Sequence, residues 1–166
     1  MKKVLVAVLA GGALLTAATP ALAQTTQAAG TTLGPYGYGK VRLGMTEKQA
    51  RATGQIVLKM AAEAGSCSGW DLKAHPSGKN AVGLYISKKK GVALISAPKG
   101  VKTPEGIGVG STMTQIKKAY PNVKTPQDGY PSVRVPGNPK AYYAFLVEKG
   151  KVYELSLGLN AQDCTN

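Results

Sequence analysis

Apolar and polar positions alternate with a period of two in several short segments of the chain. The clearest are residues 81–88, AVGLYISK, and 151–159, KVYELSLGL. This alternation, with many Val, Ile and Tyr, predicts strands that bury one face. The inward residues are expected to be Val82, Leu84 and Ile86 in the first segment and Tyr153, Leu155 and Leu157 in the second. Tyr85 is expected on the other face.

Further strands are predicted in segments that show similar patterns, at residues 69–74, 91–97, 132–137 and 141–149. A Lys-Gly pair separates the last two strands of each set, at 90–91 and 149–150, which indicates hairpin turns. The lysine run Lys88–Lys90 falls on one of these tips. An exposed turn explains that run without a ligand.

Helix signals occur twice. In each copy a Thr is followed three residues later by a Gln, the spacing of a capping box. The cap residues are Thr46 and Gln49 in the first copy and Thr112 and Gln115 in the second. Gly54 and Pro121 are expected to end the two helices. Residues 55–64, QIVLKMAAEA, are expected to form a further short helix.

The order of elements predicts two diverged copies of one unit, at about 34–98 and 99–166. Each copy has a capped helix followed by about three antiparallel strands, which indicates an α+β fold. We expect the strands to form a sheet covered by helices on one face. Residues 34–166 then form a single domain, and the polar residues 24–33 form a disordered lead.

The start of the chain predicts export. Lys2 and Lys3 precede a short apolar run, and small residues at 21–23 offer a cleavage site after Ala23. Residues 1–23 therefore resemble a secretory signal peptide. No other segment is long and apolar enough to be a transmembrane helix. The mature protein is expected to be extracellular or associated with the cell wall.

Cys67 and Cys164 are the two cysteines of the chain. In an exported protein such a pair is most simply one disulfide, and a reactive thiol is the alternative. The bond would tie the C-terminal residues to the first half of the chain.

The chain is strongly basic. It has 21 Lys and Arg against 8 Asp and Glu, and loss of Lys2 and Lys3 lowers the formal charge from +13 to +11. This charge favours polyanions such as anionic wall polymers, and solubility is the alternative explanation. Export and the lack of a recognition motif argue against nucleic acid.

The sequence offers no pattern of residues for catalysis. His75 is the one histidine and lies in a turn-like stretch, so neither a metal site nor a Ser-His-acid triad is indicated. The acidic residues are dispersed, and no Gly-x-Ser-x-Gly elbow occurs. The segment 106–110, GIGVG, lacks the Gly-Lys-Ser/Thr ending of a phosphate loop. We therefore expect no enzyme, cofactor or metal.

Aromatic residues suggest a binding surface. The chain has eight Tyr, one Trp and one Phe. Tyr85 and Tyr142 are expected to share the uncovered face of the sheet, with Trp70 near its edge. Tyrosine among lysines favours protein or sugar binding. The alternative is that these rings complete the core of a small domain.

The segment at 43–50, LGMTEKQA, resembles the opening of two families of exported proteins. One is the BamE-type (SmpA/OmlA) outer-membrane assembly factor, and the other is the β-lactamase inhibitory protein. Gly44, Met45, Thr46 and Gln49 match the motif that opens their first helix, and the second copy keeps Gly110, Thr112 and Gln115. The mature chain also resembles a group of uncharacterised secreted actinobacterial proteins. The resemblance implies tandem helix-and-sheet units and a role as an inhibitor or an envelope assembly partner.

These observations predict a secreted, non-catalytic interaction protein. It would bind an extracellular or envelope protein through its sheet face. The alternative is a basic structural protein that electrostatic attraction retains on an anionic wall polymer. An enzyme is the least supported class.

Overall fold

The computed structural model describes residues 32–63, 67–127 and 129–165. The strands are β1 (Gly37–Tyr38), β2 (Val41–Arg42), β3 (Ile56–Met60), β4 (Ser68–Leu72), β5 (Leu84–Ser87), β6 (Gly91–Ser96), β7 (Ser132–Val135), β8 (Asn138–Glu148) and β9 (Lys151–Leu159). The helices are α1 (Glu47–Ala52) and α2 (Met113–Ala119). The predicted signal peptide and most of the predicted lead lie outside the described residues.

The architecture is mainly β, so the prediction of a helix-covered α+β fold is wrong. Strands make up 42% and helices 10% of the structure. The two helices have only six and seven residues, about two turns each, and are too short to cover a wide sheet. The predicted further helix at 55–64 is also wrong. Gly54, with φ of +71°, turns the chain, and the β-branched Ile56 and Val57 begin β3.

Seven strands form one antiparallel sheet in the order β3-β4-β5-β6-β9-β8-β7, and β1 pairs with β2 separately. The last strands of the two predicted copies, β6 and β9, pair at Ile95 and Leu157. The two sets of strands therefore form one continuous sheet.

One face of the sheet carries the hydrophobic core. A row of apolar side chains crosses it in register, formed by Trp70, Leu84, Ile95, Leu157, Tyr143 and Val133. The two helices and irregular segments complete the core over this face, with buried residues that include Leu33, Val41, Val101, Ile107, Ile116 and Tyr120. The layer over the core is therefore largely loop.

Leu33 shows why the described segment before β1 is ordered. This residue was expected to end a disordered lead, yet its side chain is 0% exposed. Its amide donates to the Lys102 carbonyl at 2.9 Å, and its carbonyl accepts from the Tyr143 hydroxyl at 2.8 Å. The ordered domain therefore begins earlier than the composition predicted.

A β-bulge changes which side chains of β9 face inward. The register between β8 and β9 shifts between Leu146 and Val147. As a result Val152 is 2% exposed and Tyr153 is 49% exposed, the reverse of the predicted pattern at these two positions. Leu155 is buried as predicted. Val82 lies before β5 and is half-buried, so its predicted place in the inward row is also wrong.

Both helices begin with the predicted capping box, at Thr46 and at Thr112. The residues before them make equivalent backbone contacts. The Gly44 amide donates to the Val92 carbonyl at 2.9 Å, and the Gly110 amide donates to the Val152 carbonyl at 2.8 Å. These contacts agree with two related units, and the duplication itself stays a prediction.

The predicted disulfide is confirmed. Cys67 and Cys164 are bonded, with their Cα atoms 5.5 Å apart and a sequence separation of 97 residues. The bond ties the C-terminal segment to the residue before β4. In the described part of the chain, no helix has the length and apolar character that crossing a membrane requires.

Candidate binding groove on the open sheet face

The sheet face opposite the core carries a groove with a floor of small side chains. Ser132, Ala144, Ser156 and Ser96 lie directly opposite one another on β7, β8, β9 and β6. Adjacent strands are about 4.8 Å apart, so this row is about 14 Å long. We call the depression above this row the open-face groove.

Larger side chains rise on both sides of this floor. Leu94 and Tyr142 lie on one side and Leu146 and Glu154 on the other, each two residues along its strand from the floor. Tyr85 lies directly opposite Leu94 on the same side. Together they enclose a cavity of about 470 Å³. A volume of this size is in the range of ligand-binding clefts.

Tyr142 owes its position to a glycine on the neighbouring strand. A Cβ added at Gly158 would lie 2.7 Å from both Cζ and the hydroxyl oxygen of Tyr142, so the ring lies across this glycine. Burial raises the pKa of the Tyr142 phenol, against an opposing effect of a hydrogen bond with the Gln162 side chain. The ring is thus held as a fixed, half-buried wall.

The C-terminal segment closes one side of the groove. Gln162 and Thr165 line the cavity. The Gln162 side-chain oxygen accepts from the amide of Cys164 at 2.8 Å and from that of Thr165 at 2.9 Å. Because Cys164 is bonded to Cys67, the disulfide holds this wall against the sheet.

Two further tyrosines beside the groove were not found by sequence reasoning. Tyr130 lines the cavity and is 55% exposed, and Tyr153 is 49% exposed. Burial raises the pKa of the Tyr153 phenol, and the nearby Tyr130 side chain raises it further. Sequence alternation predicted that Tyr153 lies in the core. The bulge in β9 reverses its orientation, and a bulge has no signal in the sequence pattern. Tyr130 lies in a turn-rich segment that shows no periodic pattern.

The groove is nearly free of ionic groups. Of the described residues that line the cavity, Glu154 carries a charged side chain, and none is Lys or Arg. The Ser96 hydroxyl donates to Oε1 of Glu154 at 3.1 Å. The groove is therefore a neutral to acidic surface on a strongly basic protein.

Basic side chains lie in other places. Lys124 and Arg134 line an adjoining cavity of about 890 Å³ beyond β7, which shares Ser132 and Tyr142 with the groove. The run Lys88–Lys90 is exposed on the β5–β6 turn, as predicted.

The structure separates the three aromatic residues that were predicted to bind a partner. Tyr85 and Tyr142 lie on the open face, on the same wall of the groove. Trp70 is 3% exposed and lies on the covered face, where its Nε1 donates to the Ser68 hydroxyl at 2.8 Å. Trp70 therefore belongs to the core and not to the edge of the open face.

A polar cluster next to the groove has the residue types of a Ser-Lys catalytic dyad, but its polar groups are hydrogen-bonded to one another. Lys59 Nζ lies 2.7 Å from the Ser77 hydroxyl and 3.1 Å from Asp71 Oδ2. Burial raises the pKa of Asp71, but hydrogen bonds from Ser77, Lys59 and the Gly83 amide outweigh it, so the pKa is lowered. The cluster joins the 73–82 loop to β3 and β4.

The remaining candidates for chemistry are engaged in local contacts. His75 is exposed, and its Nε2 lies 3.2 Å from the Tyr38 hydroxyl. Cys67, Asp163 and Cys164 have ligand atoms close together, but the two sulfur atoms are bonded to each other. These sulfurs are therefore not free to bind a metal while the disulfide is intact.

Comparison with known proteins shows one fold relationship. The crystal structure of the uncharacterized protein yfeY from Escherichia coli superposes with a TM-score of 0.50 at 14% sequence identity, covering 78% of this chain and 100% of that one. At this identity the likeness concerns the fold alone. No family model and no curated protein sequence matches the chain.

Proposed function

We propose that this chain is a secreted, non-catalytic binding protein whose open-face groove holds a segment of an extracellular or envelope protein. The observation that supports this function best is an uncovered groove lined by tyrosine and small polar side chains. Such a surface is not needed for the main hydrophobic cluster, none of whose described buried residues lines the cavity.

The side chains of the groove suit a protein partner. Tyrosine offers rigid, amphipathic contact area at low entropic cost, and serine and amide side chains offer adaptable hydrogen bonds, as in antibody paratopes. Three tyrosines and three serines line this cavity. The backbone groups of the central strands are already paired within the sheet. A partner is therefore held by side chains and not by strand addition.

The competing proposal is a basic structural protein that anionic wall polymers retain. Its support is the formal charge and the basic cavity at Lys124 and Arg134. It differs in its salt dependence, because exposed charges are screened over about 8 Å at physiological ionic strength. Contacts in the groove have few charges to screen.

The resemblance to the β-lactamase inhibitory protein and BamE-type factors supports a binding role as an expectation. Its matched residues, such as Gly44 and Thr46, are turn and cap residues, so they bear on architecture and not on the groove. The fold likeness to yfeY adds no information on function.

The test is a pull-down from extracellular and envelope fractions with the immobilised chain from residue 24 onward, at low and then high salt. Ala144→Arg places a long charged side chain on the groove floor. The control, Lys88→Gln/Lys89→Gln/Lys90→Gln, removes three charges outside the groove. Circular dichroism melting confirms that both variants are folded.

We expect one discrete protein to be retained at high salt, lost with Ala144→Arg and kept with the triple glutamine variant. Retention of anionic polymer alone, lost at high salt and unaffected by Ala144→Arg, would refute the proposal and support the electrostatic alternative.

A further inference from the structure

We infer that Glu154 is the recognition site for an arginine side chain of the bound protein segment. This inference rests on the proposed function and adds the chemistry of its partner. It depends on the position of Glu154, on its neighbours and on the charge of the rest of the molecule.

Glu154 lies on an inner strand of the sheet. It is on β9, directly opposite Leu146 of β8, and two residues from Ser156 on the groove floor. Its side chain is half-buried and lines the cavity. A ligand that fills the groove therefore meets this carboxylate.

The neighbours of Glu154 fit a guanidinium group. The Ser96 hydroxyl donates to Oε1, which orients the carboxylate. Burial raises the pKa of the Tyr153 phenol, and the nearby Tyr130 and Glu154 side chains raise it further, which places all three groups close together. Tyr130 and Tyr153 are about half exposed. A carboxylate beside two tyrosine rings offers a guanidinium both an ion pair and an aromatic face.

The charge distribution makes this carboxylate unusual. The described residues form two ion pairs, Glu47 with Arg51 and Asp71 with Lys59. Glu154 is in neither, although the chain has far more basic than acidic residues. Lys99 lines a second cavity that shares Ser96 and Glu154 with the groove, but it forms no ion pair with this carboxylate. The described lining of the groove itself includes no Lys or Arg, so a cation that binds Glu154 from within the groove is expected to come from the partner.

Arginine fits better than lysine. Its planar guanidinium bonds a carboxylate through two parallel N–H groups and stacks on aromatic rings, whereas the lysine ammonium is a compact and strongly hydrated charge. A partly buried contact pair is also less screened by salt than an exposed one. The inference therefore agrees with binding that persists at high salt.

The test is a ¹⁵N–¹H NMR titration of the disulfide-bonded chain from residue 24 onward with two peptides. The probe is acetyl-Ala-Ala-Arg-Ala-Ala-amide. The matched control has citrulline, a neutral isostere, in place of arginine. The amides of Ser96, Ala144 and Ser156 report on the groove, and the titrations are repeated with Glu154→Gln.

We expect the arginine peptide to shift the groove amides with at least tenfold higher affinity than the citrulline peptide. In Glu154→Gln the two peptides should bind equally weakly. Equal binding of both peptides to the wild type, shifts confined to residues outside the groove, or an unchanged preference in Glu154→Gln would each overturn the inference.

The two proposals fail in different ways. If the arginine preference is absent but an envelope protein is still retained and is lost with Ala144→Arg, the groove binds a partner and only the role of Glu154 is wrong. If Ala144→Arg also has no effect on retention, the proposed function is wrong as well.

Discussion

Removal of the Cys67–Cys164 bond should lower the stability of this protein substantially. The bond connects residues 97 positions apart, so it closes a loop that includes most of the domain. A cross-link of this kind stabilises mainly by restricting the unfolded chain. In the folded state it holds the C-terminal wall of the open-face groove.

The loop length sets the size of the effect. A chain-entropy calculation for a loop of this length gives about 4.7 kcal/mol at 25 °C, and loss of native disulfides costs about 2–5 kcal/mol. In a domain of this size 1 kcal/mol shifts the Tm by roughly 4 °C. We therefore expect the Tm to fall by roughly 8–20 °C.

Differential scanning calorimetry of the oxidised and reduced protein measures this shift, with two thiols counted by alkylation and mass spectrometry. The Cys67→Ala/Cys164→Ser variant separates the effect of the cross-link from that of the reductant. A Tm change below about 3 °C in fully reduced protein would refute the argument from loop closure. Hydrogen exchange should also show loss of protection at residues 160–165.

Two other predictions concern the hairpin tips and the polar cluster. Gly91→Ala should cost roughly 3 kcal/mol or more, because its Cβ would lie within 2.6 Å of two backbone carbonyl oxygens. The control is Gly150→Ala, which has a similar positive φ but open space around it and should cost about 1–2 kcal/mol. If urea unfolding gives equal losses of unfolding free energy for the two variants, the argument from the close contact at Gly91 is refuted. Hydrogen bonds from Ser77 and Lys59 lower the pKa of Asp71 in the folded protein. The ionised carboxylate therefore stabilises the fold above the pKa that Asp71 has in the unfolded chain, and this stabilisation is lost as pH falls through the pKa of the folded state. The unfolding free energy should therefore fall below about pH 4 in the wild type and less so in Asp71→Asn, and parallel pH curves would contradict this.

Local sequence signals predicted most of the individual elements. Residues 151–159 form β9 with the predicted bounds, and the caps at Thr46 and Thr112 begin the two helices. Each of these signals depends on residues within a few positions of one another. Alternation along a strand and a Thr-x-x-Gln spacing need no information from the rest of the chain.

Contacts between distant segments decided the features that the sequence did not predict. Residues 56–60 have neither a strict helical nor a strict strand period, and pairing with β4 makes them a strand. The bulge at Tyr153 of β9 depends on the register between β8 and β9. The covered face was expected to lie under helices, but loops with isolated apolar residues, such as Leu33 and Ile107, fill most of that layer.

The candidate site was predicted only in part, for the same reason. Tyr85 and Tyr142 were assigned to one face from alternation and the order of strands, and the structure places both there. Trp70 was expected near the edge of that face, but it lies in the core, in a strand whose five residues are all buried. A strand buried on both faces gives no pattern that shows which side a residue occupies.

The groove depends on the pairing of β6 with β9. Ser96 belongs to the first predicted unit, whereas Ser156, Ala144 and Ser132 belong to the second. The second unit supplies three of the four floor residues, and the pairing of β6 with β9 extends the floor across the junction to Ser96. The disulfide crosses the same boundary and fixes the wall at Gln162. Tyr85 of the first unit and Tyr142 of the second stand on the same wall, so both units contribute to the proposed binding surface.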